Sequence, residues 1–208
     1  MERLMLFSLI CVVSLSASAA VDTGANLDEI SASMQRVETF SASFEQIKNF
    51  KILSSPLKLT GRIYIRRTPF KLGWHVDAPV VCLTVMDGDR LTQWEEGGKT
   101  IMEINMGDNP VLKTVSDAYR GILTGNFSFF EINCNLSFDR SGRRLTAVAG
   151  KDSDMGRFIS MIEFYFSENM DFLEKINISE VNGGTTEIFF SKVLINKPLP
   201  SEAWRIRK

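Results

Sequence analysis

Few side chains in this chain are equipped for chemistry. His75 is the only histidine among 208 residues, so no pair of imidazoles exists to grip a transition metal, and any Ser-His-Asp set must be built around this one ring. It stands beside Trp74 on the polar side of a two-residue alternation, where a solvated surface residue is expected. The three cysteines, Cys11, Cys82 and Cys134, show no metal-ligand spacing, and no serine sits in a nucleophile-elbow sequence. The expectation is therefore no catalytic residue, no metal, no cofactor and no enzyme. Arg67 is the residue that asks for an explanation. It follows Ile63 and Ile65 at the same parity, so a strand running through it aims a guanidinium from the apolar face at the interior or its rim, where it needs a partner. The other reading ends the strand at Arg66 and leaves Arg67 in solvent before Pro69.

Charge narrows the partners. Twenty-four Lys+Arg against 25 Asp+Glu give a net charge of −1, too little basic excess to hold a phosphate backbone, so nucleic acid is not an expected partner. With 44% hydrophobic and 24% charged residues the composition is that of an ordinary globular chain with one sizeable core.

The N-terminus is read separately. After Met1-Glu2-Arg3 an apolar run extends from Leu4 to Leu15, followed by Ala17-Ser18-Ala19, a small-x-small cleavage pattern. The run is about a dozen residues, short of the roughly 20 that cross a bilayer as a helix. The expected organisation is a signal peptide over 1–19 and a single domain over 20–208, exported and soluble. Cys11 makes a poor lipid-attachment site because Leu9 and Ile10 before it are bulky. In an oxidising compartment Cys82 and Cys134 could pair, closing about 53 residues for roughly 4 kcal/mol. They could equally be two separate buried thiols.

The elements that must position these residues are mostly strands. A first helix starts at Asn26 as its cap, with Leu27, Ile30, Met34 and Val37 on one face; residues 20–25 are expected as a mobile leader. Alternation then predicts strands over Leu57–Arg67, Phe70–Asp77, Val80–Val85, Arg90–Trp94 and Thr100–Ile104, with turn signals at Asp87-Gly88-Asp89 and Gly97-Gly98. A second one-sided helix runs from Val111 to Leu123 between Pro110 and Gly125, its stripe made of Val111, Leu112, Val115, Ala118, Tyr119, Ile122 and Leu123. Strands resume at Phe130–Phe138, Leu145–Ala149, Phe158–Phe166, Leu173–Ser179 and Thr185–Ser191. About ten antiparallel strands and two helices make a mainly β fold, and a sheet this wide must curl. Its greasy face then lines a half-barrel that is either packed solid or hollow. Phe70, Trp74, Phe130, Phe138, Phe164 and Phe166 are the large inward candidates.

Several stretches carry a resemblance. The segment Phe40-Ser-Ala-Ser-Phe44-Glu-Gln46, the segment Gly61-Arg-Ile-Tyr-Ile-Arg-Arg67-Thr-Pro69-Phe-Lys-Leu-Gly-Trp74, then Pro79, Asp87-Gly88 and Leu91 to Trp94, together resemble the LolA family of periplasmic outer-membrane lipoprotein carriers. The end of the chain, Phe190 to Pro200, resembles the family too. The likeness implies an incomplete β-barrel, with helices as a lid over a hydrophobic cavity for lipoprotein acyl chains. It also implies a monomeric periplasmic shuttle between an inner-membrane lipoprotein-releasing transporter and an outer-membrane receptor. Arg67 falls where the family has an arginine that hydrogen-bonds to the lid. Thr68 separates it from Pro69, where the family usually has Arg-Pro directly, so Arg66 is the alternative. The same fold also serves carriers and sensors of other lipids or acylated ligands. Under this reading Ile63, Ile65, Phe70, Trp74, Phe130, Phe164 and Phe166 line the cavity. Leu112, Val115, Tyr119 and Ile122 form the lid face, and Arg67 contacts the lid. Each acyl methylene shielded from water is worth about 0.8 kcal/mol, which is why a chain crossing an aqueous compartment needs such a sleeve.

Overall fold

The computed structural model describes residues 23–51, 54–97, 102–108, 110–153 and 155–206; the signal-peptide reading and Cys11 lie outside them. Among the described residues three α-helices, α1 (Thr23–Met34), α2 (Pro110–Thr124) and α3 (Ser128–Asn133), accompany eleven strands. The strands are β1 (Thr39–Asn49), β2 (Leu57–Arg66), β3 (Lys71–Ala78), β4 (Cys82–Asp87), β5 (Arg90–Glu95), β6 (Met102–Asn105), β7 (Cys134–Asp139), β8 (Arg144–Ala149), β9 (Ile159–Phe166), β10 (Leu173–Glu180) and β11 (Thr185–Ile195). They form one antiparallel sheet in the order β6-β5-β4-β3-β2-β1-β11-β10-β9-β8-β7. The sheet is curled and unclosed, so β6 and β7 are its edges.

Register carries one apolar face across the whole sheet. Phe44 lies opposite Gly61 on one side and Phe190 on the other, Ile63 opposite Trp74, and Ile65 opposite Leu72. In the other half Ile188 faces Ile176, Ile176 faces Phe164, Phe164 faces Leu145 and Leu145 faces Phe138. Because side chains alternate with period two, these pairings put every one of these residues on the concave side.

Three sequence expectations change. Strand β1 has no counterpart among the expected strands: Phe40, Ala42 and Phe44 alternate inward, and opposite Ser41–Ser43 strand β11 carries one extra residue, a bulge that leaves the parity of β1 intact. The single strand expected over Phe130–Phe138 is a helix followed by a strand. The Asn126 side chain accepts the Ser128 N–H at 3.1 Å and its hydroxyl at 2.6 Å, and Asn133 Nδ2 donates to the Phe129 carbonyl at 2.7 Å, closing the turns of α3. As a result Phe130 is buried while Ile132, which alternation placed beside it, is 83% exposed. Helix α1 begins ahead of Asn26, whose side chain accepts from Arg140 Nη1 at 2.9 Å instead of capping.

His75 is also relocated. It is buried, because a 3₁₀ turn at Ser201–Trp204 lies over the convex face of β3 and the Ala203 carbonyl sits 3.1 Å from His75 Nε2. Gly73 makes the approach possible: a Cβ there would lie 2.3 Å from that same carbonyl oxygen. Tyr64, Leu83, Val85 and Ala203 are buried with it, outside the main core. The alternation was correct for this strand; the convex face is simply not all in water.

Candidate functional site

Three turns at one end of the sheet hold the helices. Arg140, on the β7–β8 turn, forks onto Glu29 of α1 at 2.8 and 3.0 Å; the paired guanidinium holds the Glu29 carboxyl below its ordinary range. Ser33 of α1 donates to the Asn169 carbonyl on the β9–β10 turn at 3.0 Å. Arg120 of α2 donates to the Gly88 carbonyl on the β4–β5 turn at 3.2 Å, stands 3.8 Å from Asp89, and lies over the Phe70 ring at 5.2 Å. The helices meet where the Ser31 hydroxyl donates to the Gly125 carbonyl. Gly125 has φ +72°, and a Cβ on it would come within 2.7 Å of Met34 Cβ, so the α2–α3 corner needs glycine twice over.

Beneath this cover the interior is filled. Ile63, Phe130, Phe164 and Phe166 are at most 2% exposed. The rings of Phe130 and Phe164 meet edge-on at 5.2 Å, Phe127 and Phe166 at 6.3 Å, and Trp74 packs on Phe44 at 4.2 Å. Ile65 lies on the seam between helices and sheet, where a crevice of about 20 Å³ is bounded by Met34, Val37, Phe40, Leu123, Phe172, Leu173, Phe190 and Asp171. That is room for about one water molecule. The crevice itself is too small for an acyl chain, which enters there only if the helices or the aromatic side chains give way; a wider, open hollow of about 370 Å³ is lined by Phe44, Gly61, Arg62, Asp77 and Phe189 among others.

The candidate residues fall into two groups. Ile63, Ile65, Phe164 and Phe166 lie together on the concave side, with Trp74 half-buried beside Phe44 and Phe130 reaching them from α3. Phe70 sits in the β2–β3 turn under Arg120. On α2, Ile122 is buried and Tyr119 is 37% exposed; the side chains of Leu112 and Val115 lie outside the described residues. Arg67 donates its backbone N–H to the Glu38 carbonyl at 2.9 Å and its Nη2 to the Glu38 carboxylate, so its partner is the link between α1 and β1. Arg66 goes the other way, with Nε on the Pro69 carbonyl at 3.2 Å and its guanidinium 5.8 Å from the Trp204 ring. Arg120 is the contact that sequence reading missed. Its signal was present: a cation bordering the α2 stripe, and an Asp-Gly-Asp turn for it to meet. Cys82 and Cys134 are both free thiols, and burial pushes the Cys134 thiol up to about 11.

A curled sheet with an apolar concave side, closed by helices that rest on turns, is an architecture for holding something greasy. Residues 35–207 match the family described as outer membrane lipoprotein carrier protein LolA. The chain belongs to the LolA family. It is 21% identical over 208 residues to an outer-membrane lipoprotein carrier protein of Pseudomonas putida (strain W619), covering 98% of this chain and 92% of that one. Its fold is similar to an uncharacterized conserved protein from Thermus thermophilus, with TM-score 0.52 at 8% identity over 89% of this chain and 95% of the other. A similar likeness, TM-score 0.52 at 12% identity, holds to a chain of the Pseudomonas aeruginosa MucA/MucB complex, over 89% of this chain and 61% of that one. At such identities the solved structures speak to fold.

Proposed function

We propose that this LolA-family protein is a non-enzymatic periplasmic carrier that takes up the acyl chains of lipoproteins, or of a related lipid, and shuttles them between membranes. An inner-membrane lipoprotein-releasing transporter would load it and an outer-membrane receptor would unload it. The observation that carries the reading is the contrast between interior and cover. The concave side is a continuous apolar belt, and α1 and α2 close over it with a short apolar stripe, Leu27, Ile30, Met34 and Ile122, and a handful of polar contacts at the turns. Such a cover can be displaced by cargo, because each methylene buried offsets part of the cost of lifting a helix. Ile63, Ile65, Trp74, Phe130, Phe164 and Phe166 would then line the acyl site. Phe70 and Ile122 would lie at its cover, with Tyr119, Leu112 and Val115 on the helix that moves.

Export by a signal peptide over residues 1–19, leaving a single domain from residue 20, belongs to this proposal. Native mass spectrometry of the protein purified from the cell envelope tests it. A co-purifying acylated species of lipoprotein or lipid mass is expected; protein free of any acylated species under overexpression of a lipoprotein would count against it.

A further inference from the structure

Eight of the nine residues around the seam crevice are apolar; the ninth is Asp171. It sits on the β9–β10 turn immediately before Phe172 and Leu173, which line the same crevice, so it stands at the crevice's lip. Its Oδ1 accepts the Ser167 hydroxyl proton at 2.7 Å, and that hydroxyl oxygen in turn accepts the backbone N–H of Asp171 at 3.1 Å. Ser167 is buried, so the turn is fixed. Among the described residues no Lys or Arg pairs with Asp171, and no donor reaches its Oδ2.

Of the neighbouring cations, Arg67 and Arg143 are paired with carboxylates and Arg36 is not. Glu38 holds Arg67. Arg36 donates to the Ala32 carbonyl and the Ser33 hydroxyl. Arg143 donates to the Phe166 carbonyl and stands 3.7 Å from Glu174. Among the described residues Asp171 is therefore a carboxylate with no paired cation, beside an apolar seam.

The geometry points to Asp171 as the residue that selects the polar end of the ligand. Acyl ligands whose first polar group is neutral or donates a hydrogen bond, such as an amide N–H, a hydroxyl or an ammonium, are admitted, and those ending in a carboxylate or phosphate are disfavoured. A seated chain leaves its polar end at the mouth, where an anion meets a like charge at the border of a low-dielectric interior, whereas an amide N–H finds an acceptor. This rests on the carrier reading and narrows it to a class of ligand.

The test uses the purified full chain at pH 7.5 and low salt, with two probes of equal chain length, dodecanoate and N-methyldodecanamide, both below their micelle concentrations. The readout is the ratio of the two affinities in the wild type, in Asp171→Asn and in Asp171→Glu. The wild-type ratio alone mixes in the solvation of the two head groups, so the change between variants decides. Asp171→Asn keeps an acceptor for Ser167 and should lower the amide-over-carboxylate preference at least fivefold, mainly by strengthening dodecanoate; Asp171→Glu should retain the preference, and about 0.3 M salt should weaken it. A ratio that moves less than twofold in Asp171→Asn overturns the assignment while leaving the carrier reading standing. Failure of the neutral amide to bind the wild type overturns the carrier reading, and the assignment with it.

Discussion

Removing the Arg120 clasp should loosen α2 without loosening the sheet. In Arg120→Gln the bond to the Gly88 carbonyl and the guanidinium over Phe70 are lost, while the helix keeps its corner at Gly125. A charged donor on a carbonyl and a cation over a ring would sum to several kcal/mol if buried. Arg120 is 38% exposed and Asp89 73% exposed, so the ion pair adds little and the whole clasp is worth about 1–2 kcal/mol. At about 1.4 kcal/mol per factor of ten, the lifted state of α2 gains roughly 5- to 30-fold in population. Hydrogen exchange read by mass spectrometry should show that gain in residues 116–124, with β1 and β2 unchanged. The apparent affinity for an acyl probe should rise by up to the same factor, because less is spent opening the cover. Unchanged exchange in α2, or a uniform acceleration across the sheet, would refute the clasp.

Two further outcomes are expected. Gly73→Ala pushes a methyl toward the Ala203 carbonyl and should lift the C-terminal turn, at about 2 kcal/mol for the strain and lost burial; that lowers Tm by about 4–8 °C and shifts Trp204 emission to the red, and unaltered Trp204 emission would count against the close contact. Cys134, with its thiol pushed up from 9.0 to about 11 by burial, should be alkylated by iodoacetamide about a hundredfold more slowly at pH 8 than an ordinary thiol. Its raised value also means that its contribution to stability is complete below pH 9 and is lost as pH climbs toward 11, so alkylation at the rate of a free peptide thiol would remove both statements.

Much of the fold was legible because most strands obey one rule. From Leu59 to Ile65, and again at Ile162, Phe164 and Phe166, apolar residues recur at every second position and the structure puts them inward, while Leu57 and Phe158 at the starts of the two expected strands are exposed. The rule failed where something local overrode it. At Ser128–Asn133 two asparagine side chains wind the backbone into a helix, and alternation of Phe130 with Ile132 carries no information about that. In β1 the alternation of Phe40, Ala42 and Phe44 is short and fades at Gln46 and Lys48, which hid the strand. His75 was misplaced because its burial depends on Ala203, 128 residues away, and on the missing side chain of Gly73. The cover was harder still. Periodicity found α2, yet what holds it is Arg120 meeting a turn of another hairpin, a tertiary contact with no spacing signature. Arg67 was legible as a residue needing a partner, whereas that partner, Glu38, was set by how α1 leads into β1.

The central claim, that an acyl chain displaces the cover and lies against the concave face, can be read from the tryptophans. Trp74 packs on Phe44 inside the sheet, while Trp204 belongs to the turn on the convex side. Variants that keep only Trp74 or only Trp204, titrated with an N-acylated peptide brominated along its acyl chain, separate the two faces by fluorescence quenching. The account predicts saturable quenching of Trp74 and none of Trp204; equal quenching of both, or quenching of Trp204 alone, would contradict it.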